Sequence, residues 1–245
     1  MAEEQSPKEY GMPQNKITIL STGALPAYLA DEAEMNNIKT DIIPFIKTEA
    51  IQSVEVQQEI EQALLQSATI VFTSRNAVEA IATELEGLEP EWNIYCVGEK
   101  TKELAAEYFG EEKIYGVADD AATLADLIVE EDMTNEVIFF CGDQRRDELP
   151  DILQANNIEV DEIVVYQTVN VPQKIKMHYD GILFYSPSGV ESFFEVNKIE
   201  EKTTLFAIGN TTSNAIKKYS NNKVIISKKP DKEQMIKEVV NYFGV

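Results

Sequence analysis

The chain has 245 residues, enough for one large domain or two small ones with real cores. Its 44% hydrophobic and 26% charged residues are ordinary for a soluble globular protein. The 21 basic residues against 43 acidic ones leave a net charge of −22, which excludes a nucleic-acid binder and a protein docked on an anionic membrane, and also counts against an acidic substrate.

In chain order, residues 1–15 are polar and include Glu3, Glu4, Pro7 and Pro13, so they read as a disordered tail and not as an export signal. Short apolar runs follow, at Ile17–Leu20, Thr69–Phe72, Asn93–Val97, Val137–Phe140, Gly181–Tyr185, Thr204–Ile208 and Val224–Ile226. Five of them lead through a polar turn into amphipathic segments: Asn76–Leu85, Lys100–Phe109, Leu149–Asn156, Val190–Asn197 and Thr212–Tyr219. Strand, turn and helix in repetition predict an α/β fold with parallel sheets covered on both faces. The segments Asp41–Glu49 and Asp161–Val169, rich in β-branched residues, read as further strands. No run of about 20 apolar residues occurs. Cys96 and Cys141 form no CxxC and end apolar runs, which fits buried free thiols in a reducing cytoplasm.

Internal similarity goes further. Phe72-Thr73-Ser74 and the residues after it align with Phe184-Tyr185-Ser186, and Cys96-Val97-Gly98 aligns with Ala207-Ile208-Gly209. Asn36-Asn37-Ile38 aligns with Asn156-Asn157-Ile158, in the same frame that puts Ile17–Leu20 on Val137–Phe140. The chain is therefore a duplicated α/β unit. Residues 49–160 hold 26 acidic and 6 basic residues; the remainder is close to neutral. A charge break near Thr48 and again near Val160 predicts a middle domain inserted into an outer one. The expected parts are domain 1 at 16–40 and 170–245, domain 2 at 50–160, and a two-stranded ladder at 41–49 and 161–169 joining them.

In open parallel sheets, ligands bind at the carboxyl ends of the strands. Ser74, Asn76, Thr101, Ser186, Ser188, Thr211 and Thr212 all fall at such ends. Singly each reads most simply as a helix N-cap; together they form two rings of hydroxyl and N–H donors that could face each other across a cleft. The only three arginines, Arg75, Arg145 and Arg146, follow strands of the acidic module. They either pair with neighbours such as Asp143, Asp147 and Glu148, or form an anion-binding rim. Tyr166, in the second joint strand, is either a packed tyrosine or a hydroxyl within reach of a ligand. The single histidine, His178, is expected in an unremarkable loop, and a zinc site built from several histidines is excluded. No GxGxxG follows a strand and no Walker loop occurs, so no nucleotide cofactor is expected.

Taken in order, these motifs resemble uroporphyrinogen-III synthases. The resemblance rests on Phe72-Thr73-Ser74 leading into Asn76-Ala77-Val78, on Val97-Gly98-x-x-Thr101, and on Phe140-Cys141-Gly142 with Arg146-Asp147-x-Leu149-Pro150. It continues with Val165-Tyr166-Gln167-Thr168, Tyr185-Ser186-Pro187-Ser188-Gly189-Val190 and Ala207-Ile208-Gly209-x-Thr211-Thr212. It implies two similar flavodoxin-like or Rossmann-like domains, the second inserted into the first. It also implies a cofactor-free, monomeric, cytoplasmic hydro-lyase of haem biosynthesis. The implied reaction closes hydroxymethylbilane, a linear tetrapyrrole with eight carboxylates, to uroporphyrinogen III with loss of water and inversion of ring D through a spiro intermediate. By position, Tyr166 would be the proton donor. Thr73, Ser74, Thr101, Arg146, Ser186, Ser188, Gly189, Thr211 and Thr212 would hold carboxylates, with Arg75 and Arg145 added on charge alone. Hand-over from the preceding enzyme is a further expected partnership. The alternative reading is a non-catalytic two-lobed protein that binds a small anion.

Overall fold

A computed structural model describes residues 16–244; the tail expected at 1–15 lies outside the described residues. The chain starts with strand β1 (Ile17–Ser21), helix α1 (Ala27–Met35) and strand β2 (Ile38–Ile42). It continues through β3 (Ile46–Ala50), α2 (Val54–Leu64), β4 (Ala68–Phe72), α3 (Arg75–Ala82), β5 (Trp92–Val97) and α4 (Glu99–Phe109). Next come β6 (Ile114–Ala118), α5 (Ala121–Glu131), β7 (Glu136–Gly142), α6 (Glu148–Ala155) and the long β8 (Glu159–Asn170). The last elements are β9 (Gly181–Phe184), α7 (Pro187–Val196), β10 (Thr204–Ala207), α8 (Asn210–Ile216), β11 (Val224–Ile226) and α9 (Lys232–Phe243).

These elements form two compact units. The outer unit comprises the chain up to Lys47 and from Asn170 onward, and the inner unit is Thr48–Val169. The outer unit's sheet has the order β11-β10-β9-β1-β2, with parallel neighbours throughout. The inner unit's sheet has the order β3-β8-β7-β4-β5-β6, and the pairs from β8 to β6 are parallel. Reading β7 for β1, β8 for β2 and β4, β5, β6 for β9, β10, β11 makes the two orders match, with β3 as an extra edge strand of the inner sheet. The inner unit is therefore a permuted copy of the outer one, in the 2-1-3-4-5 order of flavodoxin-like sheets.

The copies agree in local detail. Helices α1 and α6 both stop at an Asn-Asn pair. The first asparagine sends its amide to the carbonyl four residues back, Glu32 or Ile152, at 2.8 Å in both cases. The second is left-handed, with φ of 60° at Asn37 and 62° at Asn157. Asparagine tolerates that conformation better than other side chains do.

The expected strand Asp41–Glu49 is two strands. β2 ends at Ile42 and β3 begins at Ile46, with Pro44 between them. Proline has no N–H for a ladder, so pairing stops there. The other joint strand is one continuous strand, β8, and β3 lies beside it at the edge of the inner sheet.

Both sheets are buried on both faces. In the inner unit, Phe72 stacks on Phe109 and Phe140 at 5.8 and 5.7 Å. Trp92 packs on the same two rings and donates its indole N–H to the Ala63 carbonyl at 3.0 Å. On the opposite face, Val71, Phe139 and Leu153 gather with Leu124 and Ile128 of α5. In the outer unit, Phe193 meets Phe45 and Phe184 at 5.0 and 5.3 Å, and Ile19, Leu183 and Phe206 pack against Ile236 and Val239 of α9. Parallel strands enclosed in this way need the near-continuous apolar runs seen in the sequence.

Candidate functional site

The inner unit's polar turns collect at the carboxyl ends of β4, β5, β7 and β8. Ser74 is the N-cap of α3, and its Oγ accepts from the Ala77 N–H at 3.3 Å. The same hydroxyl donates to the Tyr166 hydroxyl at 3.0 Å. Residues 92 apart in sequence thus form one relay: Ala77 N–H to Ser74 Oγ–H to Tyr166 Oη. Because the phenol oxygen accepts in this relay, its own proton is left to point elsewhere.

Gly142 gives the tyrosine its seat. A Cβ there would run into the Tyr166 ring, so only glycine allows the ring to lie across the end of β7. The β7–β8 register also slips between Cys141 and Gly142, so that Gly142 faces Tyr166. Such an irregularity re-aims a side chain at a strand end. Tyr166 lines a cavity of about 200 Å³ together with Thr48, Glu49, Ala50, Asn76, Glu79, Ala80 and Thr83, all in the inner unit.

The arginines separate. Arg145 is held by the carboxylates of Asp147 and Glu162, which raise its pKa further, so it is engaged within the unit. Arg75, at the first position of α3, and Arg146, just before α6, are exposed. Thr73 is half-buried at the end of β4. Thr101 lies one turn into α4 and is buried. That helix starts at Gly98, which has φ of +80° and offers no side-chain cap to the first N–H groups; the Thr101 N–H bonds the Gly98 carbonyl at 3.1 Å.

The outer unit repeats the plan. Ser186 caps α7, accepting from the Gly189 N–H at 3.1 Å, and its hydroxyl meets Ser188 Oγ at 3.0 Å. Gly189 is buried beneath this cap. Helix α8 starts at Gly209 without a side-chain cap; Thr211 is exposed and Thr212 is buried. The tyrosine here is Tyr185, which the motifs contain but give no role. Its hydroxyl bonds the buried Ser21 at 2.9 Å, and burial raises its pKa to about 12.

The two thiols and the histidine make no bond to these hydroxyls among the described residues. Burial pushes the thiol of Cys96 up to about 12; burial and then Glu162 push that of Cys141 up to about 11. His178 pairs with Glu200 at 2.9 Å on the surface.

The sequence matches the family model for uroporphyrinogen-III synthase HemD over residues 28–237. The chain belongs to the uroporphyrinogen-III synthase family. Solved structures agree on the fold. The uroporphyrinogen-III synthetase of Helicobacter pylori is 18% identical, with a TM-score of 0.65, over 92% of this chain and 99% of that one. A mutant uroporphyrinogen III synthase from the extremely thermophilic bacterium Thermus thermophilus is 14% identical, with a TM-score of 0.57, over 92% and 98%. The family sets the role, a cyclase of haem biosynthesis, and nothing favours the non-catalytic alternative.

Proposed function

We propose that the chain closes hydroxymethylbilane to uroporphyrinogen III as a hydro-lyase, losing water and inverting ring D through a spiro intermediate, and that Tyr166 is its proton donor. The family match over residues 28–237 carries the reaction. The relay from Ala77 through Ser74 to Tyr166 supports the assignment of the proton donor. As the substrate's C–O bond breaks, the electron pair leaves with oxygen and takes the phenol proton, so water departs and an azafulvenium cation remains. The Ser74 hydroxyl supports the charge that grows on the phenol oxygen. After ring closure through the spiro intermediate, a ring carbon loses a proton and the phenol is restored.

The chemistry asks for little acid–base machinery, because the cation forms readily. The harder demand is to hold the chain so that the substituted carbon of ring D attacks. Carboxylate holders are the exposed Arg75 and Arg146, the N–H groups that open α4, and the turns bearing Thr73, Ser74, Ser186, Ser188 and Gly189. Thr211 belongs with them through its exposed hydroxyl. Thr101 and Thr212 are buried: Thr212 contributes its backbone N–H rather than its hydroxyl, whereas the Thr101 N–H bonds the Gly98 carbonyl at 3.1 Å, so Thr101 serves to fix the turn that opens α4. Arg145 serves to fix the loop between β7 and α6, since both its partners lie within the unit. The same reading takes the enzyme as a cytoplasmic monomer that receives its short-lived substrate from the enzyme that makes it.

The test is incubation with hydroxymethylbilane and chromatography of the oxidised products. Uroporphyrin III is the expected product. Isomer I alone, formed at the uncatalysed rate, would sink the proposal.

A further inference from the structure

The cavity beside Tyr166 has the wrong charge for the substrate's side chains. Its walls carry two carboxylates, Glu49 from β3 and Glu79 from α3. Asn76, Glu79, Ala80 and Thr83 are spaced at i, i+3, i+4 and i+7, which puts them on one stripe of the helix that Ser74 caps. The Glu79 side chain has no hydrogen bond or ion pair among the described residues. At about 200 Å³ the cavity is smaller than pockets that enclose a whole ligand, so it takes one ring and not a tetrapyrrole.

A linear tetrapyrrole offers two kinds of group. Its acetate and propionate arms are anionic and would be repelled here. Its pyrrole N–H groups are donors, and one ring becomes a cation when the hydroxyl leaves. Carboxylate walls next to a phenol suit only the second kind.

We propose that this cavity receives the pyrrole ring bearing the hydroxymethyl group, and that the Glu79 carboxylate stabilises the azafulvenium cation formed on it. The inference deepens the proposed function and rests on Tyr166 acting at the same ring. In the ground state the ring is neutral and offers Glu79 one N–H hydrogen bond. Once the C–O electron pair has left with oxygen and the phenol proton, positive charge spreads onto that N–H. The attraction to Glu79 therefore grows toward the transition state, which makes it catalytic and not merely binding. The charge also leaves again: attack by ring D and loss of a carbon proton return a neutral pyrrole, so product is not trapped.

The experiment compares wild type, Glu79→Gln and Glu79→Asp with hydroxymethylbilane. Wild type must first yield uroporphyrinogen III above the uncatalysed rate; failure there overturns the function itself, before Glu79 is at issue. Given an active wild type, Glu79→Gln should lower kcat about tenfold and leave KM nearly unchanged, because the amide keeps the shape and loses the charge. Glu79→Asp, which keeps the charge, should recover part of that loss. The melting temperature of both variants should match wild type, since Glu79 is exposed. An unchanged kcat in Glu79→Gln would overturn the assignment. A lower KM at constant kcat would overturn it too, because it would mean that a substrate carboxylate sits in the cavity. A higher KM at constant kcat would reduce Glu79 to ground-state binding and equally overturn its role.

Discussion

The outer and inner units share a strand order, a serine cap after the third strand in that order and an Asn-Asn stop after the first helix, yet each sets its tyrosine differently. In the outer unit, Tyr185 directly follows strand β9 and bonds the buried Ser21. In the inner unit, Tyr166 comes from β8, crosses the bare Gly142 and bonds the capping Ser74 beside a cavity. The same scaffold thus packs one phenol onto a buried serine and sets the other, the proposed proton donor, beside a cavity. The deciding residues are small: a glycine at the end of β7, and a cap whose hydroxyl still has its proton to donate.

Breaking the phenols apart gives the largest contrast. Tyr166→Phe should lower kcat for hydroxymethylbilane by roughly one to four orders of magnitude. Tyr185→Phe should leave kcat within about twofold and cost about 1 kcal/mol in urea unfolding, the worth of one hydrogen bond. Equal losses of kcat would end the distinction between them.

The cores come next. Phe140→Ala in the inner unit and Phe193→Ala in the outer unit each empty a fully buried aromatic site. Each should cost about 3–5 kcal/mol in denaturant unfolding. A cost confined to one of them would show that the two cores are not equivalent despite the shared sheet order.

The caps give the smallest and most discriminating contrast. Ser74→Ala and Ser186→Ala should each cost about 1 kcal/mol of stability, for the lost bond to Ala77 or Gly189. Only Ser74→Ala should also lower kcat, by several-fold, because it releases the Tyr166 oxygen. Ser186→Ala should instead raise KM, as expected of a carboxylate holder. Steady-state kinetics separates the two.

Much of the scaffold was legible. Apolar runs located seven strands to within a residue or two, because strands of an enclosed parallel sheet have no polar face to interrupt them. The Asn-Asn-Ile repeat marked two equivalent helix ends. Strand β6 escaped notice because Gly116 sits in its middle; a Cβ there would meet Tyr95 at 2.6 Å and Leu127 at 2.8 Å. The site was legible only as types of residue. Ser74, Ser186 and Tyr166 stood out by position in a motif, but neither the Ser74–Tyr166 bond nor the Ser21–Tyr185 bond has any local signature. Those pairs exist because strand order brings distant strand ends together. Arg145 shows the converse: its pairing with Asp147 was open from two residues away, whereas Glu162 joins it only through the β7–β8 pairing. Nothing in the sequence sets Glu79 apart; the cavity alone gives it Tyr166 as a neighbour.

The single tryptophan, Trp92, and both cysteines, Cys96 and Cys141, lie between Thr48 and Val169, and all three are buried. The molecule is therefore optically and chemically one-sided. Indole emission and thiol alkylation both watch the inner unit, while the outer unit is silent to both. A fluorescence melt agreeing with a thiol-trapping rate would record a single event twice, and would leave the fate of half the protein unseen. A tryptophan placed in the outer core, at Phe193 for instance, would supply the missing reporter.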